Sequence, residues 1–560
     1  MSNNSQHNIY TLFQLPSSVP KWTPHQGGGF ASGTIDLGGL AVTHVTSFKK
    51  IWSTNEGGSG NLGTTFYDPV AIPNSFSSLG SYAHSNNIPL FGHFLVAKDV
   101  SNDPYNPSLK SPIDYVLKWT SHSLNITKDG ECYVWLPIAP RGYKAIGYVI
   151  TSSFDKPTLD KVSCVRQDFT EDHTTAKKTI SNDDDDNDDD DDLIRFENQN
   201  VIDMNGLHVH SSMGGFKIKN DEHSIGKLKG SKANNAMPNI FQIRNLISAY
   251  SPIVYFHPDE EYLPSSVDWF FESGALLYHN GSDQGPIPIQ KNGANLPQGG
   301  PTDRRYWLDL PVDGSRKDKV KIGTLKNANA YFHVKPVAGG LFSDISVWIF
   351  HPFNGASIAK VLFLTLSLKP VGEHVGDWEH MTLRISNING ELNSVCFARH
   401  SWGEWVSASA LEWDDANGKI VAYSSLHSHG LYSKSGIVSY GWKGAKVAGL
   451  IDKMAMSNKI MDTGVGAVVV AAEYLGNVVV EPPWLNYMRK WGPSKAYEIV
   501  EVLTEIKKDL KWYERILFGK IIEKLPRALL GEDGPTGPKA KKSWSGDEEL
   551  NMVQPRAEAI

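Results

Sequence analysis

The stretch "EHVGDWEHMTL", residues 373–383, sets Glu373, His374, Asp377, Glu379 and His380 close together and then turns apolar. Alternation at period two puts Asp377, Glu379, Met381, Leu383 and Ile385 on one face of a strand, and Trp378, His380, Thr382 and Arg384 on the other. Both acids thus lie on the face that continues into apolar residues. A bare carboxylate there is costly, so each needs a proton, a partner or a cation. Two positions apart, with Cα atoms about 7 Å from one another, they suit two ligands of a single ion. His374, three residues upstream of Asp377, can swing onto the same point. One imidazole and two carboxylates with open positions favour Mg²⁺, Ca²⁺, Mn²⁺ or Fe²⁺ over a closed zinc site. The alternative is that the acids pair with Arg or Lys and cap a loop. His380, on the opposite face, is a poor base for such an ion.

Two other stretches carry titratable groups. "HPDEEYLP" (257–264) places three carboxylates at a turn, where a solvated role is the simpler expectation and ion ligation the sharper one. "VAYSSLHSHGLY" (421–432) carries His427 and His429, which period two places on one strand face.

The elements that must position these residues belong to a long chain. At 560 residues it exceeds one ordinary core, so two or three domains are expected. Gly 50 and Pro 31, with Trp 16, Tyr 21 and Phe 22, favour many turns and aromatic strands, hence a mainly β fold. Net charge is −7, and nine aspartates fall in residues 183–192, so the remainder is close to neutral and no basic field argues for nucleic acid. That acidic run repels itself and reads as part of a disordered linker, 176–237. It separates a repeat domain, 1–175, from a β-sandwich domain, 238–535, which carries the candidate ion site; 536–560 reads as an irregular tail. Residues 494–525 show one apolar stripe and are expected to form a long C-terminal helix, either packed on the sandwich or lying on a membrane surface. Cys132, Cys164 and Cys396 are too sparse for a disulfide framework, and free thiols in a reducing compartment are expected. No run reaches transmembrane length and no signal-peptide pattern is visible, so the expected location is cytoplasmic, peripheral on endomembranes.

The first domain repeats. Pro69, Pro73, Phe76, Leu79, Gly80 and Pro89 match Pro137, Pro140, Tyr143, Ile146, Gly147 and Pro157. Each copy reads as strand, turn, strand, with a weaker third copy in "GTIDLGGLAVTHVTSFKKIWST". The pattern resembles the β-prism of multivesicular-body adaptors, which implies contact with acidic membrane surfaces or trafficking proteins. The candidate basic residues, Lys49, Lys50, Lys98, Lys110 and Lys118, are scattered.

"EHVGDWE" resembles the "GHRHDWE" heptapeptide of the necrosis- and ethylene-inducing peptide-like proteins, β-sandwich toxins with a divalent metal in a cavity mouth. His374 falls on its first His and Asp377, Trp378 and Glu379 on its "DWE"; Gly376 replaces the second His. The resemblance implies metal ligation by His374, Asp377 and Glu379. It places Asn354 of "SVWIFHPFNG" at an upstream ligand position and His429 at a cavity histidine; His427, on the same strand face by period two, is a further candidate contact. Together "SPIVYFHPDEEYLPSSVDWFF", "DISVWIFHPFNG", "HVGDWEHMTLRISNINGEL" and "GPTGPKAKKSW" resemble plant members of the vacuolar protein sorting-associated protein 62 family, a family without a settled activity.

Three functions follow as expectations. The first is a non-enzymatic binding protein that takes an acidic or glycosylated lipid head group, or a glycan, through a divalent cation in vacuolar or endosomal trafficking. The second is a metal-dependent hydrolase; no nucleophile elbow, P-loop or dinucleotide fingerprint supports it. The third is a scaffold with a structural ion.

Overall fold

The structure is a computed structural model that describes residues 9–10, 13–20, 29–56, 62–86, 89–172, 207–208, 217–218, 226–228, 236–281, 285–300, 305–400, 402–440, 448–496, 499–523 and 531–545. The aspartate run and the end of the tail, 546–560, lie outside the described residues. The chain is mainly β, with many antiparallel sheets and few helices.

The N-terminal repeat is visible in the pairing of its strands. In the first copy Thr64–Val70 pairs with Tyr82–Ser85, and Ser77–Ser78 with Phe94–Asp99. In the second, Tyr133–Ile138 pairs with Val149–Thr151, and Tyr143–Lys144 with Cys164–Arg166. The strands expected as a third copy serve instead as leading strands of the first: Leu40–Val45 joins Phe94–Asp99 and Ser47–Ser53 joins Thr64–Val70. Leu109–Lys110 and Asp114–Thr120 do the same for the second copy. The copies meet at their matched glycines, where a Cβ on Gly80 would stand 3.0 Å from the Gly147 Cα. Within the expected linker, Gly226–Leu228 pairs with Thr170–Asp172, and Leu228 is buried among N-terminal core residues.

The C-terminal part stacks two sheets. The larger has six strands in the order Trp402–Ser407, Leu392–Arg399, His374–Ser386, Phe342–Asn354, Ala330–Val337, Val468–Ala471. The smaller has the order Leu431–Tyr432, Val421–Ser424, Ile253–Phe256, Ile460–Asp462, with its central pair parallel. Val347, Ile349, Met381 and Leu383 from the first sheet meet Val254, Phe256, Ala422 and Met461 from the second in one core, joined by Ile243, Leu246 and Ile247 of the helix Ile240–Tyr250. Asn239 caps that helix, and the Gln242 side chain returns a capping-box bond to the Asn239 N–H. The opposite face of the large sheet carries an aromatic cluster of Tyr331, Trp348, Phe350, Trp378, Trp484 and Trp491. The large sheet is thus apolar on both sides, which explains strands that read as nearly continuous hydrophobic runs.

Phe342–Asn354 and His374–Ser386, thirteen residues each, pair in unbroken register from Phe342↔Ser386 to Asn354↔His374. At roughly 3.4 Å per residue this ladder runs about 40 Å. The N-terminal part packs at its Phe342/Ser386 end: Leu341, Phe342 and Ile388 share a core with Ile35, Leu37 and Leu40, and the Ala31 N–H donates to the Asn387 carbonyl at 2.8 Å. The candidate site lies at the other end.

The long C-terminal helix is divided into Ile499–Lys508 and Trp512–Glu523. The Arg515 side chain donates to the Lys508 and Leu510 carbonyls, and the Glu514 carboxylate accepts from the Lys511 N–H, so side chains satisfy backbone groups at the break. The division lets Leu503, Leu510 and Phe518 all reach one small core with Ala359, Val361 and Val371. No helix among the described residues is long and apolar enough to cross a membrane. The three cysteines are free and buried.

Candidate functional site

His374 opens the strand that carries both acids. Trp378 and His380 point into the aromatic layer: Trp378 stacks on Trp484 at 5.5 Å and His380 on Trp348 at 4.2 Å. Locking that face turns Asp377 and Glu379 to the other, toward the sandwich core, as period two requires. Gly376 makes the approach to Asp377. Its φ is +67°, and a Cβ would lie 2.7 Å from the Trp491 carbonyl oxygen. This explains why the residue at the second His position of the resembling heptapeptide has no side chain here: the backbone is left-handed and Trp491 fills the space.

Asp377 is buried, and its Oδ2 accepts from His429 Nδ1 at 2.8 Å. On the other side of the ring, His429 Nε2 stands 3.7 Å from Glu260 Oε1, an ion contact rather than a hydrogen bond. Glu260 is itself buried and anchored by backbone, accepting from the His427 N–H at 2.6 Å and the Tyr262 N–H at 2.8 Å. The His351 ring stacks on His429 at 3.7 Å, and His351 Nδ1 contacts the Tyr262 carbonyl at 3.1 Å. The cluster is therefore a buried imidazole held between two carboxylates.

Burial alone would push the Asp377 carboxyl up, but the hydrogen bond and charge of His429 more than reverse this and hold it at about 2. Glu260 behaves alike: burial raises it, and His429 brings it down to about 2. Burial disfavours charge on His429, yet Glu260 and Asp377 together raise it to about 10, so it stands as an imidazolium. Its stacked neighbour His351 is driven down to about 3 by burial and by that positive charge. Glu379 goes the other way, raised to about 8 by burial and by the Asp377 charge. It is only half-buried, and among the described residues no group hydrogen-bonds or ion-pairs with its carboxyl. His374 is half-buried, its Nδ1 2.8 Å from the Gly376 carbonyl, and burial lowers its pKa.

The expected residues separate on this geometry. Asp377 and His429 are in contact, with His374 and Glu379 on the same strand as Asp377. Asn354 pairs opposite His374, but its amide is spent on the Gly355 and Gly372 carbonyls, at 3.0 and 2.8 Å, closing the segment between them. His427 does not share a strand face with His429. Ser425–Gly430 is a turn, with φ +69° at His427 and +56° at His429, and the His427 ring points to the Ala356 carbonyl at 3.1 Å. Two side-chain-bearing residues in left-handed backbone within three positions mark a turn strained to deliver His429. Glu260, read in the sequence as part of a solvated turn, is the missed member. Only closure of "HPDEEYLP" against the 425–430 turn buries it, and no local pattern signals that.

The donors, two carboxylates and imidazoles, match a hard divalent cation chemically. Yet among the described residues no group of three or more His, Cys, Asp or Glu side chains stands arranged to hold a metal ion. Asp377 Oδ2 is instead engaged by His429 Nδ1 at 2.8 Å.

Residues 9–548 match the profile of the family described as vacuolar protein sorting-associated protein 62. No curated protein matches the sequence. Among solved structures the chain is similar to GNIP1Aa from Chromobacterium piscinae, with 16% identity and a TM-score of 0.23 over 38% of this chain and 40% of that one. It thus spans less than half the length of that protein. It is also similar to NLPPya in complex with mannosamine, with 10% identity and a TM-score of 0.21 over 42% and 77% of the two chains. Necrosis and Ethylene inducing Protein 2, from the causal agent of cocoa's Witches Broom disease, gives 13% identity and a TM-score of 0.18 over 40% and 82%.

Proposed function

The chain belongs to the vacuolar protein sorting-associated protein 62 family, and from that membership we propose that it is a non-catalytic binding protein of endomembrane trafficking. In this reading it takes a hydroxyl-rich head group, a glycan or glycosylated lipid, at the Asp377–Glu379 end of the sandwich, with a divalent cation recruited alongside. The observation that carries it is Glu379: a half-buried carboxyl two positions from Asp377 on one strand face, with no hydrogen bond or ion pair among the described residues, its pKa raised to about 8 by burial and by the Asp377 charge, which favours a bound proton. An arriving cation would release that proton and leave two adjacent carboxylates to hold it, with His374 nearby; open positions would take ligand hydroxyl oxygens. His429 must loosen from Asp377 for this to happen, so binding is coupled to a side-chain shift.

Isothermal titration of the full chain with CaCl₂, MnCl₂ and MgCl₂ tests the ion. One of them is expected to bind with proton release, seen as a heat that varies with the ionisation enthalpy of the buffer, and Glu379→Gln and Asp377→Asn should each abolish it. If wild type binds none, the cation is withdrawn from the proposal. Retention on phosphatidylcholine vesicles carrying a glycosylated sphingolipid, lost in Asp377→Asn, tests the head group. Ion binding that raises the melting temperature without altering any vesicle binding would mean a structural ion only.

A further inference from the structure

A second feature points to a membrane independently of the acid cluster. Between Asn354 and His374, which pair at the site end of the long ladder, the chain leaves as a hairpin of Ile358–Val361 and Leu364–Ser367. Its two-residue turn is Leu362–Phe363. Tight turns of this kind ordinarily use Gly, Asn or Asp to reach positive φ. Here Leu362 adopts φ +57°, and Phe363 is 100% exposed, with Leu364 exposed beside it. A strained turn that holds a phenyl ring wholly in water gains nothing for the fold.

The helix Trp512–Glu523 packs against the strand Ile358–Val361 that leads into this turn. Phe518 and the buried Glu514 face inward, while Trp512 and Ile516, one turn apart, are 74% and 55% exposed. Hairpin and helix rest on the same small core, where Val361 packs with Leu503, Leu510 and Phe518. The exposed charges of this segment carry a net excess of cations, Lys508, Lys511, Arg515 and Lys520 against Glu505 and Asp509. Lys511 and Lys520 are exposed, Arg515 is exposed but donates to the Lys508 and Leu510 carbonyls, Lys508 pairs with the exposed Glu505, and the Glu514 carboxylate is withdrawn to the Lys511 N–H at 2.8 Å. Asp509 is the exposed acid nearest in sequence. Exposed aromatic and aliphatic side chains with Lys511 and Lys520 on the same helix match the boundary of an anionic bilayer, which accepts apolar side chains below its head groups and lysines among them. A protein groove would satisfy the apolar tips but gives no reason for the excess of cations.

We propose that the Leu362–Phe363 tip and the Trp512–Ile516 stripe dock this protein on an anionic lipid surface, beside the end of the sandwich that bears Asp377. Flotation of the full chain with phosphatidylcholine vesicles, with and without phosphatidylserine, tests this. Wild type is expected to float with the phosphatidylserine vesicles and to be released by salt. Phe363→Asp and Trp512→Ser, both at exposed positions and so expected to melt like wild type, should each weaken partitioning by about tenfold or more. A polarity-sensitive fluorophore on Phe363→Cys should brighten on the same vesicles; the native thiols are buried, so labelling is selective. Asp377→Asn should float like wild type, which separates this inference from the reading of the acid cluster. The proposal is overturned if wild type does not float, if both surface variants float as wild type does, or if Asp377→Asn loses flotation while Phe363→Asp keeps it. It is equally overturned if Phe363→Asp instead dissociates a dimer in vesicle-free sedimentation, which would make the patch a contact between copies.

Discussion

Asp377, Glu379 and His429 respond to pH in opposite senses. Glu379 keeps its proton to about 8 when folded against 4.5 when free, so between these values the folded state binds the extra proton and its contribution to stability falls as pH rises. His429 acts in the same direction: its stabilisation is complete below 6.5 and is lost as pH rises through about 10. Asp377 is depressed, so its contribution is complete above 3.8 and lost as pH falls through about 2. Without divalent ions, the urea midpoint is therefore expected to be highest near about pH 5 and to decline toward alkaline pH, and Glu379→Gln should flatten that decline below about pH 8. His429→Ala leaves Asp377 and Glu260 facing each other uncompensated, a loss of about 3–5 kcal/mol at neutral pH, readable by denaturant unfolding and smaller in acid, where the carboxyls can take up protons. Asp377 and Glu379 were legible in the sequence because strand alternation ties them to an apolar continuation. The imidazolium between carboxylates was not, because Glu260 and His427 lie 167 residues apart and meet only through a strained turn.

Elements hold these side chains through contacts on the far face of the sheet. Gly376→Ala would place a methyl against Trp491 in left-handed backbone; a loss of about 2–4 kcal/mol, together with loss of any cation binding, is expected from unfolding and titration of the same variant. Trp491 is held in turn by the C-terminal segment, its N–H donating to the Pro535 carbonyl at 2.8 Å. Farther along, Trp544 stacks on His333 at 3.8 Å, and His333 Nε2 contacts Glu473 at 3.0 Å. The end of the chain up to Ser545 is thus irregular in backbone yet packed, so Trp544→Ala should cost about 3 kcal/mol in denaturant unfolding. Neither the packing of this segment nor the break at residues 509–511 follows from local pattern. "GPTGPKAKKSW" has turn residues and no periodicity, and the apolar stripe runs through the break because both helices face one core. The N-terminal repeat was legible, since turn prolines and glycines recur at matched spacing, but the assignment of its leading strands depended on which partners they found.

Across the whole molecule, the long strand ladder separates two ends, with the repeat units seated on one and the acid cluster, hairpin and exposed helix at the other. Phe30 and Phe91 belong to the sandwich core itself, and His93 Nε2 lies 3.4 Å from Glu391. Phe91→Ala is therefore expected to lower the stability of both parts together, by about 3 kcal/mol, in one transition that coincides by calorimetry and by near-ultraviolet dichroism. Separate transitions would show that the two parts fold independently. The register of the sandwich also orders its assembly in time. The two strands bearing Asn354 and Asp377 are neighbours along the chain and can zip early, whereas His429 arrives only when Ile253–Phe256 finds its parallel partner Val421–Ser424, a distant closure with a larger entropic barrier. Asp377 and Glu379 would then share a strand face before His429 reaches them, and the arrival of His429 supplies the positive charge that offsets the buried Asp377 carboxylate.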